Sequence, residues 1–135
     1  MFERNQIISH ISIGVKDVAA SRPFYTAVLA PLGLHLVYES PPGHESPTLG
    51  YGPDQSYEVV NIFQYGDEAA PPGRGSHLAF NAPSRRAVED FHAAGLQTGG
   101  VCNGAPGLRE HFGPGYYAAF LVDPDGWRVE AVCKA

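Results

Sequence analysis

The chain repeats itself at a fixed offset, and this constrains its fold more than any other feature. His10 and His77, Phe24 and Phe91, Leu29 and Leu96, and Gly33 and Gly100 each stand 67 positions apart. No gap is needed across that stretch. The match continues beyond it with small shifts: Gly52-Pro53-Asp54-Gln55 mirrors Asp123-Pro124-Asp125-Gly126, and Val59-Val60-Asn61 mirrors Arg128-Val129-Glu130, which makes Asn61 the counterpart of Glu130. A unit of this size cannot bury its own sheet face, so two copies are expected to pack into one structure. At 135 residues the pair makes one domain.

Each copy reads as strand, helix and three strands. From Gln6 to Val15 the sequence alternates, with Ile7, Ser9, Ile11, Ile13 and Val15 as the expected core face and His10 on the other. Ser21 is the expected N-cap of a helix carrying Phe24, Val28 and Leu29 and ending near Pro31 to Gly33. Strands are expected at Leu34 to Ser40, Thr48 to Tyr51 and Tyr57 to Gln64. Gly66 to Gly75, rich in Pro, Gly and Ala, is the internal linker. The pattern then restarts with a strand at Ser76 to Phe80, an N-cap at Ser84 and an apolar stripe of Val88, Phe91 and Leu96. The last 20 residues form two β-prone runs flanking Asp123-Pro124-Asp125-Gly126, the signature of a hairpin. The fold class expected is α+β: two βαβββ modules in tandem (6–65 and 76–133, joined by the linker 66–75) forming a curved mixed sheet around a cleft.

The net charge of −5 provides no basic footprint for nucleic acid or for an anionic membrane surface. Met1 to Val15 shows neither a signal peptide nor a spanning helix, so a cytoplasmic protein is expected. The two cysteines, Cys102 and Cys133, have no metal-binding spacing and read as free thiols.

The chemistry-bearing residues follow from the repeat. His10, Asn61, His77 and Glu130 each lie opposite an apolar strand face, and pseudo-twofold packing is expected to draw them together. Two imidazoles and one carboxylate suit a divalent transition metal and leave positions open for water or substrate. Each residue alone also has a plainer reading, a hydrogen-bonded strand histidine or a solvated pair between Glu130 and Arg128. Asn61, a weak ligand, is expected to bind water or substrate. Phe63, Tyr116 and Tyr117 are apolar candidates for the same cleft. The segment Cys102 to Tyr116 reads as a long loop that can act as a lid. Within it, Arg109 is a candidate clamp for a carboxylate or phosphate, and His111 or Tyr116 a candidate for proton transfer.

Nearly the whole chain resembles the vicinal oxygen chelate superfamily, which includes glyoxalase I, fosfomycin and bleomycin resistance proteins and extradiol dioxygenases. The resemblance rests on His10-Ile11-Ser12-Ile13 with Val15-Lys16-Asp17 and Ser21 to Tyr25, on Gly75-Ser76-His77-Leu78-Ala79-Phe80, and on Tyr117 to Glu130. It implies a divalent metal (Zn, Ni, Mn or Fe) held by His10, His77 and Glu130, a small oxygen-rich substrate and a homodimer; from its place on the strand Glu130 is also a candidate proton acceptor, beside Tyr116 and His111. Asn61 stands where glyoxalase I-like members carry a further ligating Glu or Gln, and the chain is shorter than extradiol dioxygenases usually are. The activity implied is that of a metal-dependent lyase or isomerase; the alternative is metal-free sequestration of a small molecule, as in bleomycin resistance.

Overall fold

The computed structural model describes residues 7–134, so the expected Gln6 start of the first module lies outside it. The first module runs β1 (Ile11–Val15), α1 (Val18–Leu29), β2 (His35–Glu39), β3 (Thr48–Gly52) and β4 (Val60–Gln64). The second repeats the order as β5 (Leu78–Asn81), α2 (Arg85–Gln97), β6 (Val101–Leu108), β7 (Tyr117–Val122) and β8 (Arg128–Cys133). Each forms a four-stranded mixed sheet, β1-β4-β3-β2 and β5-β8-β7-β6, with the first and last strands parallel and the rest antiparallel. This is the expected pair of βαβββ modules.

Strand alternation decides what each sheet buries. Ile13, Val15, Val60 and Ile62 in the first sheet, and Leu121, Val129 and Ala131 in the second, join Phe24, Val28, Leu29, Val88 and Phe91 of the helices in one continuous core. Complete burial of the valine, leucine, isoleucine and phenylalanine side chains among these stabilises the fold by about 1.5–3 kcal/mol apiece relative to exposure. Residues at the intervening positions, Ser12, Asn61 and Phe63 in one sheet and Phe120 and Glu130 in the other, face away from the helices.

Three expectations change. Ile7 is 93% exposed, because β1 begins only at Ile11 and the alternation before it is not part of the sheet. Helix α1 starts at Val18, not after Ser21: the Asp17 carboxylate caps it by accepting the Ala19 N–H at 2.9 Å, Pro23 is absorbed in the second turn, and Ser21 is buried. Ser84 does cap α2, accepting from Ala87 at 3.1 Å. Finally, much of the expected 102–116 loop is strand β6, followed by a single 3-10 turn at Glu110–Phe112. Its glycines obscure the strand pattern, since pairing with β7 slips between Cys102 and Gly104 and again between Gly104 and Gly107. A side chain at Gly104 would run into the ring of Phe120 across the pair.

The β7–β8 turn joins the modules. Oδ1 of Asp123 accepts the backbone N–H groups of Asp125, Gly126 and Trp127 at 2.9, 2.8 and 2.8 Å, and Oδ2 accepts the Tyr25 hydroxyl of α1 at 2.5 Å. Gly126 closes the turn at φ +110°, a conformation that favours glycine. Beside it, the Trp127 indole donates to the Gly14 carbonyl at 3.0 Å and Asp125 accepts the Lys16 N–H at 2.7 Å. Among the described residues no helix is long and apolar enough to cross a membrane.

Burial, then the charge and hydrogen bond of Asp123, push the Tyr25 phenol well above its ordinary value. The folded chain therefore holds that proton more tightly than the unfolded one, a contribution present below the unfolded tyrosine range and lost as pH rises through the folded value. Urea unfolding of Tyr25→Phe should show about 1–2 kcal/mol less stability at neutral pH, and Asp123→Ala about 2–4 kcal/mol less. Above about pH 10, the stability of Tyr25→Phe should fall less steeply than that of the wild type.

Candidate functional site

Glu130 is the buried carboxylate on the helix-free face of the second sheet. In register it sits between Ala79 of β5 and Phe120 of β7, and it is 1% exposed. Leaving such a charge without partners costs several kcal/mol. Two donors meet it: the Nε2 of His77 lies 2.8 Å from Oε1, and the Tyr116 hydroxyl donates to Oε2 at 2.5 Å. With Glu130 ionised, the first bond requires the proton on Nε2.

His77 reaches this position because it immediately precedes β5, whose parallel pairing with β8 brings it beside Glu130. Tyr116 likewise immediately precedes β7, two positions before Ala118, which pairs with Val132. Its ring packs edge-on against Phe112 at 5.3 Å, with the Lys134 ammonium 6.0 Å from the ring centroid. Burial first, then the hydrogen bond and charge of Glu130, push the Tyr116 phenol up to about 12. It is therefore a proton donor throughout the physiological range. Phe120 completes the surface, its ring 6.1 Å from that of His77.

The other expected residues are placed elsewhere. Arg109 donates to the carbonyls of Ala105 and Gly107 at 2.7 Å and of Ala118 at 3.3 Å, with its guanidinium 5.4 Å over Phe120; it fastens the irregular part of β6 to β7. His111 is exposed and lies against Phe112, outside the bonds to Glu130. Tyr117 alternates with Tyr116 and so turns to the helix side, donating to Glu89 at 2.7 Å beneath Arg85. Phe63 is half-buried on the helix-free face of the first sheet, and Asn61 beside it donates to Glu58. Glu58, the acidic partner of that amide, drew no attention in the sequence because it lies outside the matched segment of the repeat.

His10 does not meet His77 and Glu130 within the chain. It is exposed, its Nδ1 2.9 Å from the Ser9 hydroxyl, and it opens into a seam cavity of about 390 Å³ that also contains Ala79, Phe80 and Asn81 at the end of β5. The end of β1 meets Trp127, at the start of β8. Since β5 and β8 are parallel, β1 and β5 run in opposite directions across the seam. Each histidine precedes its own strand, so the twofold relation that makes the two equivalent also puts them at opposite ends. Among the described residues no three His, Cys, Asp or Glu side chains are grouped to hold a metal ion. His77 and Glu130 alone are one donor short of the three protein ligands a catalytic metal site normally has, so the donor set within one chain does not fit the metal that the resemblance implies.

A further pair was not anticipated. His92 of α2 is buried, with its Nε2 3.1 Å from the Sγ of exposed Cys102, and burial lowers its pKa, keeping the imidazole neutral. The ten-residue separation across a helix end hides this contact from any local pattern.

Residues 7–131 match the family described as the Glyoxalase/Bleomycin resistance protein/Dioxygenase superfamily. Among solved structures, a glyoxalase/bleomycin resistance protein from Albidiferax ferrireducens T118 is 31% identical, with a TM-score of 0.74 over 96% of this chain and 100% of that one. A glyoxalase-related enzyme from Fulvimarina pelagi is 20% identical, with a TM-score of 0.67 over 95% of this chain and 88% of that one. Glyoxalase I from Zea mays is 22% identical, with a TM-score of 0.69 over 93% of this chain, which spans only 45% of the maize enzyme. The latter two show a common fold. No curated protein matches the chain. With the match running from the residues before β1 into β8, the chain belongs to the Glyoxalase/Bleomycin resistance protein/Dioxygenase superfamily.

Proposed function

We propose that the chain is an enzyme of lyase or isomerase type, which binds a small oxygen-bearing molecule on the helix-free face of its second sheet and uses Glu130 as proton acceptor. One observation carries this reading: an almost fully buried carboxylate whose hydrogen-bond partners among the described residues are His77 and Tyr116. An apolar residue at that strand position would suit stability at least as well, whereas a desolvated carboxylate with defined donors is the equipment of acid–base chemistry. His77 is half-exposed at the side-chain level and forms the accessible side of the network. When a ligand displaces it from Oε1, that oxygen becomes free to take a proton from carbon or oxygen of the ligand. Tyr116, still protonated, holds Oε2 and keeps the carboxylate oriented.

A second reading retains the metal and is favoured by the 2.8 Å between His77 Nε2 and Glu130 Oε1, which suits two adjacent ligand atoms of one ion. It needs a third donor, and in the homodimer implied by the resemblance His10 of a second copy would supply it. No step of the acid–base reading depends on this.

Exchange of α-protons of dihydroxyacetone and hydroxyacetone in D2O, followed by NMR, tests the enzymatic reading. Glu130→Gln should reduce the rate about 10²–10⁴-fold and leave the fold intact; a variant as fast as the wild type removes Glu130 from the chemistry. Saturable binding without any exchange would favour sequestration. The Tyr116 phenol should titrate near 12 by ultraviolet absorbance, and Glu130→Gln should bring it part of the way down towards the ordinary tyrosine value, because the charge of Glu130 is lost while burial, the largest influence, remains. For the metal reading, protein loaded with Zn, Ni, Mn or Fe(II) should retain stoichiometric ion by mass spectrometry, and His77→Ala should lose it; equal retention by both would exclude His77 as a ligand.

A further inference from the structure

Two cavities meet at His77. The larger, about 540 Å³, is lined by Pro72, Gly75, Ser76, His77, Leu78 and Trp127. The smaller, about 250 Å³, is lined by Arg74, His77, Asn103, Phe120, Arg128 and Val129. The first offers apolar surface on a fixed wall, since the Trp127 indole is tied to the Gly14 carbonyl. The second is cationic, in a chain whose net charge is −5.

Other described cations already have protein partners. Arg22 forks onto Glu39, Arg86 pairs with Asp90 and Lys16 with Asp67. Arg109 is spent on backbone carbonyls, while Arg85 and Lys134 lie over Tyr117 and Tyr116. Arg74 and Arg128 have no hydrogen-bond or ion-pair partner among the described residues, and both line the same cavity. With both arginines lining one small space, their like charges make it attractive to an anion. The carboxylate closest in sequence, Glu130, is already held by His77 and Tyr116 and is sealed from solvent. Among the described residues no carboxylate pairs with either guanidinium, so the space suits an anionic ligand.

We infer that Arg74 and Arg128 form an anion subsite for the ligand of the Glu130 site, which is a small carboxylate or phosphate with an apolar or aromatic body. The planar guanidinium forks match the paired oxygens of either anion, and the Asn103 amide adds a neutral donor. Phe120 and Trp127 provide ring faces for the body. His77, shared by both cavities, places the junction of head and body beside Glu130. This inference rests on the reading that ligand binds next to His77 and Glu130, and it adds the chemical class of that ligand.

The single tryptophan, Trp127, makes the intact protein its own reporter. Fluorescence titration should compare phenylacetate and phenyl phosphate with phenylacetamide, the uncharged counterpart of phenylacetate. At least one of the two anions should bind about 10-fold or more tightly than the amide, and added salt should weaken it. Arg74→Gln and Arg128→Gln should each cost about 10-fold for that anion, the double variant should lose the preference, and amide binding should stay within about twofold. Arg128→Lys, which keeps the charge without the fork, should fall between wild type and Arg128→Gln. Because both arginines line solvent-accessible space, circular dichroism of the variants should match the wild type. A stronger response to phenyl phosphate than to phenylacetate identifies phosphate as the preferred head, and the reverse identifies carboxylate. Equal binding of anions and amide, or a preference that survives in the double variant, overturns the subsite while leaving the cavity as a ligand site. No saturable change with any probe up to about 10 mM also overturns it; the proton-acceptor role of Glu130 is judged separately by the D2O exchange.

Discussion

The carboxylate of Asp123 accepts four hydrogen bonds, three from the backbone of its own turn and one from the Tyr25 hydroxyl of the other module, and the placement of the site depends on it. The turn fixes where β8 begins, and β8 carries Glu130. The bond to Tyr25 fixes where the second sheet lies against α1. Desolvation raises the Asp123 pKa while the donors lower it, a balance that holds only when every donor is in position. The equivalent position in the first module is Gly52, so this anchor exists once and the two modules are not interchangeable.

That asymmetry extends to the chemistry. In the first sheet, Asn61 stands where Glu130 stands in the second, and its amide is engaged by Glu58. In the second, His77, Tyr116 and Glu130 form a set of donors and acceptor, bordered by Phe120 and by a cavity carrying two arginines without an ion-pair partner among the described residues. The first module supports the second through the core, through Tyr25 and through the Gly14 carbonyl that holds Trp127. A duplicated architecture has thus kept one elaborated face.

Much of the fold was legible because it rests on periodic burial. The 67-residue offset implied two equal modules, alternation identified the buried faces of β4, β5 and β8, and Ser84 marked the start of α2. The failures have physical causes. Ser21 and Asp17 are both capping residues, and only the short distance from the end of β1 decides for Asp17. The pattern of Ile7 and Ser9 extends a strand that lacks a partner there. Strand β6 is hidden by the glycines that let it slip register and pass close to Phe120.

The sequence by itself determined the two βαβββ modules, the face on which Glu130 lies and the family to which the chain belongs, because these follow from side-chain period and from residues a few positions apart. Only the tertiary structure decided which polar residues meet. His77 reaches Glu130 through the parallel register of β5 and β8, and Tyr116 reaches it from the end of the β6–β7 hairpin. His10 is carried to the opposite end of the seam by the antiparallel run of β1 and β5. Arg74 of the linker and Arg128 of β8 share a cavity although 54 positions separate them. Such meetings depend on the relative position of separate elements, which no local pattern encodes.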